Sequence, residues 1–302
     1  MTSINRTSDY HRKGPIDLFT ELTVCESLAH VRRPSMVALE EKKSYGALVG
    51  SFLQKSGLLT RGCRVCEVGG GYGSLMEGLL ETFGSSVGHV VMTDLSLYLL
   101  KKQREKLRPW SDRVSFLCGD ILELLPALCG VDLYILNEMM GDLETWNDLF
   151  PDRLPEAVSR FVRSYGLELP ETGPFHFNLG ALSLVECLCR KGVPAFLTEH
   201  ASDPVIPEGM DYLGEGLLLN DYPREIRLKG HSEFTIRFSH LTAVAKRWNR
   251  KVKTGSLLDF VGVKKTPAMR FIFKMRARST DEKEIIYEFL DHAREYRWLL
   301  IS

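Results

Sequence analysis

The residues in this sequence best suited to chemistry are acids set beside glycines. Residues 63–74 read CRVCEVGGGYGS, an apolar run that ends at Glu67-Val68 and opens into Gly69, Gly70, Gly71 and Gly73. A helix-like stretch, Leu75 to Leu80, follows at once. Strand, tight turn and helix in that order begin a nucleotide-binding α/β unit. Glycine serves because the turn needs backbone angles that side chains resist, and because a ligand must come close to the main chain. The N–H groups of the helix's first turn then face that ligand. The dinucleotide fingerprint asks for a glycine at its sixth position, where this chain has Ser74. A carboxylate at the strand end, Glu67, suits a ligand with an ammonium group and no pyrophosphate.

More acids stand at the ends of the strands that follow. The run Val87 to Thr93 ends in Asp94, placed either to accept hydrogen bonds from two ribose hydroxyls or to cap the helix that starts near Leu95. Arg113–Cys118 leads to Gly119-Asp120-Ile121, and Asp120 has the same two readings. Val131–Leu136 runs into Asn137-Glu138. Ligands of open α/β sheets sit beyond the carboxyl ends of the strands, so this polar pair points into a reaction crevice.

The elements that must hold these residues are read from periodicity. Ile16 to Leu59 has helical apolar spacing broken near Pro34 and Gly57, so two or three helices precede the first strand; packing on the sheet is the first role expected of them. Strand and helix patterns then alternate, the mark of a largely parallel sheet. Residues 141–176 exceed an ordinary connection and hold an amphipathic stretch, Pro155–Tyr165, read as an inserted helix or lid over the acceptor pocket. Asn178–Arg190 reads as a helix, Gly192–Leu197 as a fifth strand ending in Thr198-Glu199-His200, and 201–222 as a long loop. Strands are expected at Glu225–Leu228, within Lys251–Val263 and at Met269–Ala277, with a helix from about Leu241 to Trp248 and a closing helix over Glu282–Leu299. Residues 1–14 are expected to be disordered or loosely docked. The domain reading is a helical extension over 1–59, a catalytic domain over 60–279 with its insertion at about 141–176, and a C-terminal helix over 280–302.

Composition removes some function classes. Of 302 residues, 39 are Lys or Arg and 39 are Asp or Glu, so no global charge argues for nucleic acid or a membrane surface. No run approaches the roughly 20 apolar residues of a membrane span. The polar start, Met1 to Gly14, does not read as a secretory signal, and Asp9 argues against a transit peptide. The 7 cysteines, an odd number in mostly apolar surroundings, point to reduced thiols and a cytoplasmic protein. Cys63 and Cys66, three apart on a strand, face opposite ways and are not read as a redox or metal pair; no metal site is expected.

The ordered residues carry a resemblance. Glu67 to Gly73, as acid-x-Gly-x-Gly-x-Gly, looks like the first motif of class I S-adenosylmethionine-dependent methyltransferases. Within them the chain resembles the MidA-like family, whose mitochondrial member is an arginine methyltransferase acting in respiratory complex I assembly. Glu67 through Leu75-Met76, Asn137-Glu138, and Lys229-Gly230-His231 with Phe234-Thr235 and Thr254 to Leu258 carry it, over about residues 60–263. The resemblance implies a Rossmann-like class I methyltransferase fold: a mostly parallel seven-stranded sheet with helices on both faces. It implies S-adenosylmethionine as cofactor, near Glu67, Gly69, Gly70, Gly71, Gly73, Asp94, Leu95, Asp120, Ile121 and Asn137. Glu67 would take the methionine end, Asp94 the ribose and Asp120 the adenine. Asn137 and Glu138 would orient the acceptor, a protein arginine on the family pattern, with His200 as an alternative base and His231 a weaker one. The departures fall on the acceptor side: Gly141-Asp142-Leu143-Glu144 shifts the family's acid by one and lacks its proline, Thr198-Glu199-His200 stands where the family has Asp-Tyr-Gly, and no N-terminal loop motif is legible around Arg33–Glu41. A small-molecule methyltransferase, a non-catalytic cofactor-binding scaffold and, more distantly, a nicotinamide dehydrogenase remain as alternatives. The acceptor and self-association as a homodimer are left open.

Overall fold

The glycine-bounded strand does become the axis of the molecule. The structure is a computed structural model that describes residues 2–18, 23–262 and 293–302. The N-terminal region forms β1 (Ser3–Asn5), α1 (Ser8–Arg12), α2 (Val24–Ser27), α3 (Pro34–Ala38) and α4 (Tyr45–Lys55). The alternating region follows as β2 (Cys63–Val68), α5 (Ser74–Phe83), β3 (Val87–Asp94), α6 (Leu97–Lys106), β4 (Val114–Cys118), α7 (Ile121–Leu124) and β5 (Leu133–Asn137). Then come β6 (Thr145–Leu149), α8 (Glu156–Tyr165), β7 (Phe175–Phe177), α9 (Leu179–Lys191) and β8 (Ala195–His200). The described chain ends with β9 (Glu225–Arg227), β10 (Ser232–Phe234), α10 (Phe238–Arg247), β11 (Val252–Ser256) and β12 (Tyr296–Ile301).

Seven strands form the main sheet in the order β11-β12-β8-β5-β2-β3-β4. β2 lies parallel to both β3 and β5, and β12 alone runs against its neighbours β8 and β11. The chain travels outward from β2 through β3 to β4, then returns to the other side of β2 as β5. That reversal of strand order opens a crevice at the carboxyl ends of β2 and β5, the position where open α/β sheets bind ligands. β5 is buried along its whole length, which is why Leu133 to Leu136 reads as a continuous apolar run instead of an alternation. Two cores cover the two faces. Leu48, Val49 and Leu53 of α4 with Leu75 and Leu79 of α5 pack on one; Leu184 and Leu188 of α9 with Leu241 and Val244 of α10 pack on the other. Cys63 belongs to the first core and Cys66 to the second, so their side chains do point to opposite faces.

Several expectations are corrected. The N-terminus is docked: β1 pairs antiparallel with β6, which also pairs with β7 in a separate three-stranded sheet. The insertion at 141–176 therefore supplies two strands besides its helix. Val158 and Phe161 of α8 are buried in the second core, so that helix packs inward; among the described residues, none between 145 and 179 lines the central cavity, and the expected lid does not cover it. Thr198, Glu199 and His200 lie inside β8 and not beyond it, because β8 continues its pairing with β12 to the end. The closing helix fails at Tyr296–Ile301, which is β12. Its consecutive buried residues mimic an apolar helix face because the strand is covered on both sides. The rest of that helix, residues 282–292, and the strand expected at Met269–Ala277 fall outside the described residues. No helix among the described residues is long and apolar enough to cross a membrane.

Candidate functional site

A cavity of about 400 Å³ lies at the carboxyl edge of the sheet. Glu67, Gly69, Gly70, Gly71, Asp94, Leu95, Asp120, Ile121, Asn137, Glu138 and His200 all line it. Gly73 does not. It precedes the first residue of α5 with φ +83, a left-handed value that glycine adopts without strain, and its missing side chain would face Gln103. Gly71, at φ +52, has Leu18 packed so closely over it that a Cβ would stand 2.8 Å from the leucine methyl. The turn thus needs glycine for its left-handed angles at both residues, and at Gly71 for close approach as well.

Glu67 is 2% exposed, and its Oε2 is buried with no hydrogen-bond partner. Burial first, then the nearby charges of Asp94 and Glu26, push its carboxyl up to about 8. Glu26, which the sequence reading did not single out, reaches the same wall from α2 and accepts from Ser74 Oγ at 3.0 Å. Burial raises its carboxyl as well.

Asp94 borders the cavity while its carboxylate accepts from the chain itself. Oδ1 accepts from the Ser96 N–H at 2.9 Å, and Oδ2 from Gln103 Nε2 at 2.9 Å. The helix cap itself is Ser96, whose hydroxyl accepts from Leu99 N–H. Burial pushes Asp94 up to about 6 against those two donors. Gln103 also donates to Gly71 O at 3.0 Å, so one buried amide ties the acid of β3 to the glycine turn of β2. Asp120 is the cap of α7, its Oδ1 accepting from Leu122 N–H at 2.9 Å, while it still borders the cavity.

The Asn137-Glu138 pair is fixed by distant parts of the chain. Asn137 Oδ1 accepts from Tyr45 Oη and from Thr198 Oγ1, each at 2.7 Å, which orients its amide so that Nδ2 donates to Glu138 Oε2 at 3.1 Å. The two carboxylate oxygens of Glu138 accept from the N–H groups of Val24 at 2.6 Å and Cys25 at 2.8 Å, the first residues of α2. Glu138 has φ +51, uncommon for a side-chain-bearing residue, in the sharp turn after β5. Burial raises it to about 7 even with these donors. Glu199 holds the same turn from β8: its Oε2 accepts from Met140 N–H at 3.1 Å and Gly141 N–H at 3.2 Å. It too is raised to about 7 by burial. His200 sits beside Tyr296, ring centroids 4.4 Å apart, and burial lowers its pKa, so the imidazole is neutral at pH 7.

The cover over this cavity comes from the N-terminal residues. Arg6, Thr7, His11, Leu18, Thr23 and Cys25 are all on its wall. Tyr72, inside the glycine turn, donates to Ile16 O at 2.9 Å and accepts from Leu18 N–H at 3.2 Å. Tyr45, Gln103, Glu26 and these N-terminal residues have no local signal in the sequence, because the partners that hold them at the cavity lie up to 138 positions away.

No protein-family model and no curated protein matches the sequence. Solved structures do match its shape. An uncharacterised protein from Burkholderia thailandensis aligns over 96% of this chain and 95% of its own, with a TM-score of 0.52 and 15% identity. A candidate methyl transferase from the same organism, bound to S-adenosylhomocysteine, aligns over 94% of this chain and 77% of its own, with a TM-score of 0.54 and 17% identity. Both belong to the superfamily that includes the MidA-like methyltransferases. Identities this low carry the fold and no more, and together with the sheet order they give a class I methyltransferase fold.

Proposed function

We propose that this protein is an S-adenosylmethionine-dependent methyltransferase of the MidA-like kind. The observation that carries the reading is the unpartnered, buried Oε2 of Glu67 beside a glycine turn, on the cavity at the strand-order reversal. A buried carboxylate oxygen without a donor is costly, and an ammonium group is a natural partner for it. S-adenosylmethionine fits because it brings that ammonium, two ribose hydroxyls and an exocyclic amine, the groups that Glu67, Asp94 and Asp120 could accept from in turn. Leu95 and Ile121 would flank the adenine, and Gly69, Gly70 and Gly71 would leave the main chain open to the ligand. When bound, the cofactor supplies a methyl group on a sulfonium, open to in-line displacement. The protein's part is then positioning and charge placement.

On the acceptor side, Asn137, Glu138 and His200 are the candidates. Neutral His200 can take a proton from a hydroxyl or amine acceptor. Glu138 can hold a guanidinium bidentately only if it gives up the N–H groups of Val24 and Cys25, so an arginine acceptor requires α2 to move away. The N-terminal cover favours a second reading, in which the acceptor is a small molecule that fits beneath it. Incubation with methyl-labelled S-adenosylmethionine, arginine-containing peptides and small amines or phenols separates the two. Label in peptides supports the family's substrate class, and label in small molecules supports the second reading. A protein that binds the cofactor yet labels neither is a binding protein, against the enzymatic reading.

A further inference from the structure

Three segments far apart in the chain bring metal-ligating atoms together at the edge of the cavity, which His11 and Asp142 line. His11 is in α1, Asp142 follows β5, and His231 precedes β10. His11 Nε2 is 2.9 Å from Asp142 Oδ1, His231 Nε2 is 4.0 Å from that same oxygen, and all three ligand atoms lie within 4.8 Å of one another. A second carboxylate is at hand: Glu233 Oε1 is 3.1 Å from His231 Nε2. The side chains are withdrawn from water, His231 to 4% exposure and His11 to 12%. The Nε2 atom of His231 is the one turned toward the cluster, since its Nδ1 is buried with no hydrogen-bond partner. The rings are held in place, Tyr10 stacking on His231 at 4.0 Å and His11 meeting it edge-on at 5.6 Å.

Two imidazoles and one carboxylate make a three-ligand set that leaves a fourth position on a divalent cation open to solvent. Imidazole and carboxylate ligands together suit zinc and its neighbours in the first transition row. Hydrogen bonding pairs His11 with Asp142 and His231 with Glu233, yet His231 Nε2 also stands 4.0 Å from the Asp142 oxygen, so ligand atoms from three segments converge on one spot. We propose that His11, Asp142 and His231 form a zinc-type divalent metal site that clamps the N-terminal segment to the turn after β5. The segment already approaches there: Thr7 Oγ1 donates to Asp142 O at 2.8 Å, and Arg6 Nε donates to Glu144 at 2.9 Å. An ion would join α1 to the turn after β5 and to the β9–β10 connection in one step. This departs from the expectation of no metal site, because ligands 131 and 89 positions apart leave no motif in the sequence. The site does not depend on the methyl-transfer reading.

The test uses untagged full-length protein stripped with a chelator and titrated with zinc, then with cobalt. One zinc ion per chain is expected, with affinity reduced roughly 100-fold in Asp142→Asn and in His231→Gln, as loss of a ligand requires. Bound cobalt is expected to show the intense visible absorption of a low-coordinate site, a readout that needs no variant. Zinc is also expected to slow tryptic cleavage after Arg6, Arg12 and Lys13. Equal zinc affinity in the wild type and in both folded variants would overturn the site, as would a cobalt spectrum no different from that of the aqueous ion. Unchanged cleavage with zinc bound would overturn the clamp.

Discussion

Glu67 and Glu138 stand at the carboxyl ends of neighbouring strands, border one cavity and are both raised by burial, yet their surroundings are opposite. Glu67 has a buried oxygen with no partner, whereas Glu138 accepts from two backbone N–H groups and an amide. On the proposed reading, the first is left open to a ligand's donor. The second is already used to hold α2 over the site. A carboxylate at a strand end is therefore a position that the fold offers, and what fills its hydrogen bonds decides whether it binds a ligand or the chain itself.

Four expected outcomes sharpen or break this contrast, in falling order of size. Glu67, Asp94, Glu138 and Glu199 keep protons in the folded state up to about 8, 6, 7 and 7, where carboxyls of an unfolded chain have lost theirs. Through these four groups the folded ligand-free protein binds more protons than the unfolded chain. The stability they contribute is complete below the ordinary carboxylate range and is lost as pH rises toward 8, by more than about 3 kcal/mol in all. Burial lowers His176, His200, His231 and His240, which act in the opposite sense below the ordinary histidine range, so denaturant midpoints from pH 7 to pH 8.5 check the carboxylates alone, and a midpoint rising there would contradict them.

Glu138→Ala strands the N–H groups of Val24 and Cys25 and is expected to cost about 3 kcal/mol. It should also open residues 23–28 to proteolysis well before the sheet unfolds, and an unchanged cleavage rate would mean that Glu138 does not hold the cover. Glu67→Gln acts in the opposite sense on stability: it removes a buried ionisable group, so the ligand-free midpoint at pH 8 rises. The same change lowers affinity for S-adenosylmethionine by about 2 kcal/mol, the worth of a charged hydrogen bond. Loss of both stability and affinity would place Glu67 in the structure and not in the site. Gly71→Ala forces a side chain into left-handed backbone beneath Leu18 and is expected to cost about 1 kcal/mol in stability; a neutral result would show that Leu18 gives way freely.

The cavity wall built from the glycine turn and the strand-end acids was legible because its signals are local. A turn that demands glycine and acids at successive strand ends are all written within residues 63–138. Asp94 and Asp120 show the limit of that reading, since each borders the cavity and accepts from a backbone N–H just beyond it, two settings that residue type cannot separate. What holds Asn137 and Glu138 was hidden because it is assembled over long sequence distances: Tyr45 reaches Asn137 across 92 positions and Glu138 reaches Val24 across 114. Of the N-terminal helices, read as packing elements, α4 does pack on the sheet while α2 reaches the cavity, and α8, read as the cover, packs in the core. β12 was misread because a strand buried on both faces lacks the period of two.

The central claim is that Glu67 and the glycine turn receive S-adenosylmethionine. Calorimetric titration of the purified protein with S-adenosylmethionine, S-adenosylhomocysteine and NAD in parallel tests it most directly. Micromolar binding of the first two, weakened in Glu67→Gln, with no heat from NAD, is the expected result. Binding of NAD, or silence with all three in a folded protein, would contradict it.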